Sequence, residues 1–397
     1  MDLFEKCRKF TRSHDVKEMG YYPYFRPISS AAETEVIIGG RKMIMIGSNN
    51  YLGLTTHPKV KEAAVAAIKK YGSGCTGSRF LNGTLDLHIE LEGKLAEFMH
   101  KEAALVYSTG FQTNLGTISC LVNKGDYLIM DRSNHASIVD GSRLTYGRVL
   151  KFNHNDMDDL ERTFQSLSLD APKLIVVDGV FSMEGDIIDL PMLVELSEKY
   201  NCRVMVDDAH SIGVLGATGA GTAEHFHLTD RVDITMGTFS KSFASIGGFI
   251  VSTHEVIEFV KHFSRTMIFS ASIPPASAAT VLAALEIIKS EPERRRRLWD
   301  ITHRMHRELR NLGYDIGATQ TPIVPVLIGD EMECFKFWKM LTEAGIFANA
   351  IIPPAVAPGQ SLIRTSYTAN HTDAQLDRVL ATFESVGKKI GLIPAMA

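Results

Sequence analysis

Six short β-rich runs, at residues 104–107, 127–130, 174–177, 203–206, 232–236 and 248–251, alternate with helix-like segments through the middle of this chain. Such alternation argues for an α/β fold, with a mostly parallel sheet covered by helices. Ligands of these sheets sit at the carboxyl ends of the strands. Polar residues follow the apolar runs at two such places: Asp207 follows 203–206 and Lys241 follows 232–236.

From about residue 275 the pattern changes. A long helical stretch reaches Glu291, another reaches Arg310, a strand is expected at 323–327, and a terminal helix starts near Thr372. The expected division is an N-terminal arm at 1–45, a large domain at 46–285 and a smaller C-terminal α+β domain at 286–397. The arm carries Tyr21, Tyr22, Tyr24 and Phe25 before Arg26 and Pro27.

Composition removes several classes of function. A net charge of −4 gives no broad field for nucleic acid. The five cysteines are scattered with no CxxC pair, as expected of reduced thiols in the cytoplasm, so neither a disulfide nor a metal centre is expected. The opening MDLFEKCRKF carries charges where a signal peptide needs apolar residues. Leu3, Phe4, Cys7 and Phe10 fall on one face of a short helix, which would dock on the body of the protein or on a lipid surface. The block Arg294, Arg295, Arg296 and Arg297 reads first as a solvated helix face, with contact to an anionic lipid surface or substrate phosphates as the alternative.

A lysine after one strand and an acid after another suit pyridoxal 5'-phosphate. That cofactor needs an amine to hold its aldehyde as a Schiff base and a carboxylate at its ring nitrogen. Asp207 is preferred to Asp208 because it directly follows the apolar run, which leaves Asp208 as a solvated capping residue.

The segments SNNYLGL (48–54), STGFQTN (108–114), NHASIVDGSRL (134–144), DGVFSMEGD (178–186), VDDAHSIG (206–213) and GTFSKSFASIGG (237–248) together resemble the α-oxoamine synthase family. The resemblance implies an aminotransferase-like, fold type I enzyme that uses pyridoxal phosphate. It also implies roles for residues. Lys241 would be anchor and base, His135 would lie against the cofactor ring, Asp207 would pair with the ring nitrogen, and His210 would bond the phenolic oxygen. Gly110, Phe111, Thr238 and Ser240 would hold the phosphate, completed by Ser270 from a second subunit, so a homodimer with shared sites is expected. Ser182 would sit near the ring. Arg364 and Asn50 would bind the amino-acid carboxylate; read from its own residues, the small, proline-rich stretch 353–360 ahead of Arg364 is either a mobile lid or a rigid connecting turn.

SRFLNGT (78–84) and GTFSKS point, by the same resemblance, to the branch that condenses L-serine with a long-chain acyl-CoA such as palmitoyl-CoA. Sister reactions use glycine or alanine with other acyl groups, and an acyl carrier protein is an alternative donor. A non-catalytic scaffold subunit and an ordinary aminotransferase are readings of another class. The expected location is cytoplasmic, with peripheral contact at the inner membrane surface as a further expectation.

Overall fold

The first two strands, β1 (Glu35–Ile38) and β2 (Arg41–Met45), form an antiparallel hairpin. Gly39 and Gly40 at its tip both have positive φ, +57° and +75°, which a two-residue hairpin turn demands and a side chain would resist. Strict alternation then places Val36, Ile38, Met43 and Met45 in one small apolar cluster.

This computed structural model describes residues 2–394. The chain forms two units, one running from Asn49 to Trp299, the other holding the chain up to Ser48 together with the part from Asp300 onward.

The larger unit is built on a seven-stranded sheet: β3 (Ala103–Tyr107), β4 (Tyr127–Asp131), β5 (Arg148–Phe152), β6 (Lys173–Asp178), β7 (Arg203–Asp207), β8 (Ile234–Thr238) and β9 (Gly248–Ser252). Their order is β3-β9-β8-β7-β6-β4-β5, with β9 antiparallel to both neighbours and the other pairs parallel. All six anticipated runs are strands. β5 is an addition, because the two charged residues of RVLKF break up its apolar run, as suits an edge strand.

Period-two alternation sorts the core into two layers. Leu128, Met130, Leu174 and Val176 point to one face, while Ile129, Ile175, Val177 and Val204 point to the other. Every residue of β6 is buried, consistent with helices over both faces. Running alike, β3, β4, β6, β7 and β8 end on the same edge, at Tyr107, Asp131, Asp178, Asp207 and Thr238.

In the smaller unit β10 (Ile323–Gly329), β12 (Asn349–Ile351) and β13 (Ser361–Ser366) form an antiparallel sheet, and β11 (Ile346–Phe347) pairs in parallel with β2. The helices Glu331–Glu343 and Asp373–Lys389 contribute Phe335, Phe337, Leu376, Val379 and Phe383 to its core. Here the structure differs from the expected division. Because β2 pairs with β11, the hairpin inside the expected arm belongs with the C-terminal unit, and the boundary falls at 299 rather than 285. Val16 and Tyr21 also pack on that core, whereas Leu3, Phe4 and Phe10 are exposed.

The arginine block is less solvated than expected. The Arg294 guanidinium binds Glu291, and Arg295 donates to the backbone carbonyls of Ala217 and Thr218, so these two side chains tie a helix start to a loop.

Candidate active site

A cavity of about 280 Å³ opens at the carboxyl edge of the large sheet. It is lined by Gly110, Phe111, His135, Ser182, Asp207, His210, Thr238, Ser240 and Lys241, nine of the residues expected from sequence. Asp178, Ser137, Val180, Ala209 and Met236 line it too.

Each wall follows from local chain geometry. Thr109 caps the helix Gly110–Leu121, its side chain accepting from Gln112 N at 3.1 Å, so the first-turn amides of Gly110 and Phe111 lie beside the cavity. First-turn amides have no partner within their helix and carry the positive end of its dipole, which suits an anion. Thr238 Oγ1 and Ser240 Oγ lie 3.0 Å apart beside them. A Cβ added to Gly110 would come within 2.7 Å of Thr238 Oγ1, so only glycine allows this approach.

Asp207 is 4% exposed and both its oxygens accept hydrogen bonds, Oδ2 from Asn114 Nδ2 at 2.6 Å and Oδ1 from Ala209 N at 3.0 Å. Asn114 Nδ2 also reaches Ser137 Oγ at 2.8 Å, and Ser137 Oγ in turn lies 2.8 Å from His135 Nδ1. Since Ser137 N also donates to His135 Nδ1, that nitrogen is the acceptor and Nε2 carries the proton in the neutral ring. Burial, together with the nearby Lys241 charge, lowers the His135 pKa in spite of Asp207, so the imidazole is neutral near pH 7. A flat neutral ring is what stacking on a heteroaromatic plane requires.

Three further residues escaped the sequence reading although all lie inside the quoted motifs. Asn114 links Asp207 to Ser137. Tyr51 Oη shares a 2.7 Å hydrogen bond with His210 Nδ1, fixing that ring from a position far away in the chain. Asp178, register partner of Asp207, accepts from His135 N at 2.7 Å; burial first, and then the Asp207 charge, push its carboxyl well above the usual range. The available signal was position: Asp178, like Asp207, closes an apolar strand.

Asp208 corrects an expectation. It is fully buried rather than solvated, accepting from Thr222 N at 2.9 Å and Thr222 Oγ1 at 2.6 Å, and burial raises its pKa to about 6.

Three expected site residues lie outside the cavity lining. Asn50 closes its own turn, with Oδ1 accepting from Leu54 N and Nδ2 donating to Thr55 Oγ1. Ser270 Oγ accepts from Gln112 Nε2 at 3.2 Å. Arg364 is 4% exposed on β13 of the smaller unit, in register with Pro325 and Asn349.

Pyridoxal phosphate fits the cavity's donor set. There is an amine at Lys241, a carboxylate held from two sides at Asp207, a neutral ring at His135, and a helix N-terminus with two hydroxyls for a phosphate.

Known proteins resemble this chain over nearly its whole length. The family profile of aminotransferase class I and II matches residues 41–383. Serine palmitoyltransferase from Sphingobacterium spiritivorum is 51% identical over 387 residues, covering 98% of this chain and 97% of that protein. An 8-amino-7-oxononanoate synthase from Thermoanaerobacter pseudethanolicus is 43% identical over 380 residues, covering 96% of each. Among solved structures, a serine palmitoyltransferase variant from S. paucimobilis with a bound PLP–myriocin aldimine matches with a TM-score of 0.96 at 37% identity, covering 99% of this chain and 100% of that one.

Proposed function

The chain belongs to the class I and II aminotransferase family, and within it we propose a pyridoxal phosphate-dependent acyltransferase that joins L-serine to a long-chain acyl-CoA, palmitoyl-CoA in the first instance. The products are 3-oxosphinganine, carbon dioxide and free coenzyme A, the first step of sphingoid-base synthesis. The observation that carries this reading is the convergence of Lys241, Asp207, His135 and His210 on one cavity beside a helix N-terminus.

When bound, pyridoxal phosphate supplies an electron sink for the charge left when a bond at the serine Cα breaks. Lys241 anchors the cofactor and, as a free amine, takes the Cα proton. Asp207 keeps a proton on the ring nitrogen, and Asn114 and Ala209 N hold the carboxylate in place for that task. His135 would lie against the cofactor ring and so would fix the orientation of the substrate bond to be broken. His210, held by Tyr51, would donate to the phenolic oxygen of the bound cofactor. The amides of Gly110 and Phe111 with Thr238 and Ser240 bind the phosphate. Arg364 takes the serine carboxylate with its planar fork, and Asn50 is the second contact. A bond forms between the serine Cα and the thioester carbonyl carbon, the thiol leaves, the β-keto acid loses carbon dioxide, and a proton returns to Cα.

We further place Ser270 in the phosphate cup of a second copy, which makes the working unit a homodimer. Exposed apolar residues support this: Phe80, Leu81 and Phe269 flank the Ser78–Ala271 bridge, and Leu81 and Phe269 are 78% and 73% exposed. A cytoplasmic enzyme with peripheral membrane contact is the matching location, supported by exposed Leu3, Phe4 and Phe10 among Lys6, Arg8 and Lys9.

The test is a product mass spectrum after incubating cofactor-loaded protein with palmitoyl-CoA and equal serine, glycine and alanine. A dominant serine-derived amino ketone is expected. An alanine product would instead support the 8-amino-7-oxononanoate synthase type, the reading that the 43% identical relative favours, and no condensed product would overturn the acyltransferase reading.

A further inference from the structure

Behind the cavity wall, the segments that follow β4, β5 and β6 meet on one residue. His154, just past β5, has Nδ1 at 3.2 and 3.3 Å from the two oxygens of Asp131, and Nε2 at 3.1 Å from Asp186 Oδ2. Asp131 is completely buried and Asp186 nearly so. A neutral imidazole has one N–H, so facing a carboxylate from each nitrogen requires the cation. Burial by itself would lower the His154 pKa, but the hydrogen bonds to Asp131 and Asp186 outweigh it and lift the value to about 10.

The two carboxylates anchor different walls of the site. Asp131 ends β4 and accepts from Ser133 N at 2.7 Å, which sets the turn leading to Asn134 and His135. Asp186 closes the loop that carries Val180 and Ser182, where Phe181 N donates to Asp186 O at 3.1 Å and Gly185 N to Phe181 O at 2.9 Å. The neighbouring Asn155 ties the same two segments, from its N to Asp131 Oδ2 at 2.8 Å and from its side chain to Ile187 O at 3.1 Å. Phe181 packs edge-on against the His154 ring with centroids 4.3 Å apart. His135, Val180 and Ser182 line the cavity; His154 does not.

We propose that His154 is a positioning residue, which by pairing with Asp131 and Asp186 at once clamps the His135 turn to the Ser182 loop and so sets the width of the slot that receives the cofactor ring. An ion triad whose carboxylates are buried is costly to desolvate and contributes little net stability compared with apolar packing. What it adds is a three-way geometry that a merely space-filling side chain would not reproduce. The inference rests on the cofactor-site reading above.

The experiment compares wild type, His154→Phe, which fills the space without the ion pairs, and Phe164→Leu, a core change on the helix Met157–Gln165 at a residue that does not line the cavity. For each, the pyridoxal phosphate dissociation constant, the visible circular dichroism of the bound cofactor and the thermal midpoint of the cofactor-free protein are measured. His154→Phe is expected to weaken cofactor binding at least tenfold and to change the dichroic band, while Phe164→Leu lowers the midpoint and leaves both cofactor readouts unchanged. Unchanged cofactor readouts in His154→Phe, or equal changes in both variants, would overturn the proposal. If His154→Phe does not fold, His154→Gln is judged by the same criteria. Failure of the wild type to bind pyridoxal phosphate would instead overturn the cofactor reading on which the proposal stands.

Discussion

Asn114 donates to the Asp207 carboxylate at 2.6 Å, and the same nitrogen touches Ser137 Oγ, so the carboxylate proposed for the cofactor nitrogen and the His135 ring proposed to lie on the cofactor plane share one support. Replacing Asn114 with Leu keeps the bulk and removes the donor. A hydrogen bond to a charged group is worth about 1.5–3 kcal/mol, so kcat is expected to fall roughly ten- to hundredfold. Steady-state kinetics decide it, and a loss under twofold would remove Asn114 from the site.

Tyr51→Phe deletes the hydroxyl that holds His210 Nδ1. A neutral hydrogen bond contributes about 0.5–1.5 kcal/mol, so turnover should drop roughly three- to tenfold. The accompanying sign is a shift in the absorbance maximum of the bound cofactor. A spectrum identical to wild type would argue that His210 does not depend on Tyr51.

Gly110→Ala puts a methyl 2.7 Å from Thr238 Oγ1, which is itself fixed by its bond to Gly247 O. Relief of such overpacking costs about 1–3 kcal/mol and displaces the groups proposed to bind the phosphate. Cofactor affinity measured by equilibrium dialysis should fall at least fivefold, with serine affinity of the loaded fraction nearly unchanged.

Lys241→Ala removes the group proposed as both anchor and base. Turnover should fall by roughly 10² to 10⁴, the range for losing a positioned general base, together with the absorbance of the covalently held cofactor. Retained turnover would overturn the central assignment.

His154 gives a pH prediction with a definite sign. Its folded pKa, about 10, lies above the ordinary histidine value near 6.5. The stability it contributes is therefore fully present below about pH 6.5 and is lost as pH rises towards 10. The thermal midpoint of His154→Gln should lie furthest below wild type at pH 6, and the gap should shrink steadily up to pH 10. A gap independent of pH would mean the ring is not the cation the geometry requires.

How legible the site was depends on the range of each interaction. Lys241, Asp207, His135 and His210 stand next to strand ends or in motifs, so reading along the chain singled them out as candidates, and the structure gathers all four on one cavity. Tyr51 and Asn114 act on residues 159 and 93 positions away, and no local pattern encodes such distances. Asp208 misled because a DDAH turn resembles an exposed cap, and only the tertiary contact with Thr222 shows the second acid to be buried. In the large sheet the strand runs were plain from their apolar composition, except β5, whose two charged residues hid it, whereas β1, β2, β11, β12 and β13 of the smaller unit were not anticipated. The unit boundary was missed for a related reason: pairing between β2 and β11 joins opposite ends of the sequence.

That same pairing imposes an order on synthesis. Ile44 and Met45 of β2 find their partners at Ile346 and Phe347, so at a ribosomal rate of about 5–20 residues per second the hairpin waits roughly 15–60 s for its third strand. During that interval the larger unit, contiguous in sequence from Asn49 to Trp299, can fold as an uninterrupted piece, while the nascent amino terminus holds an apolar strand edge open. A chain cut short before residue 346 would never close that edge.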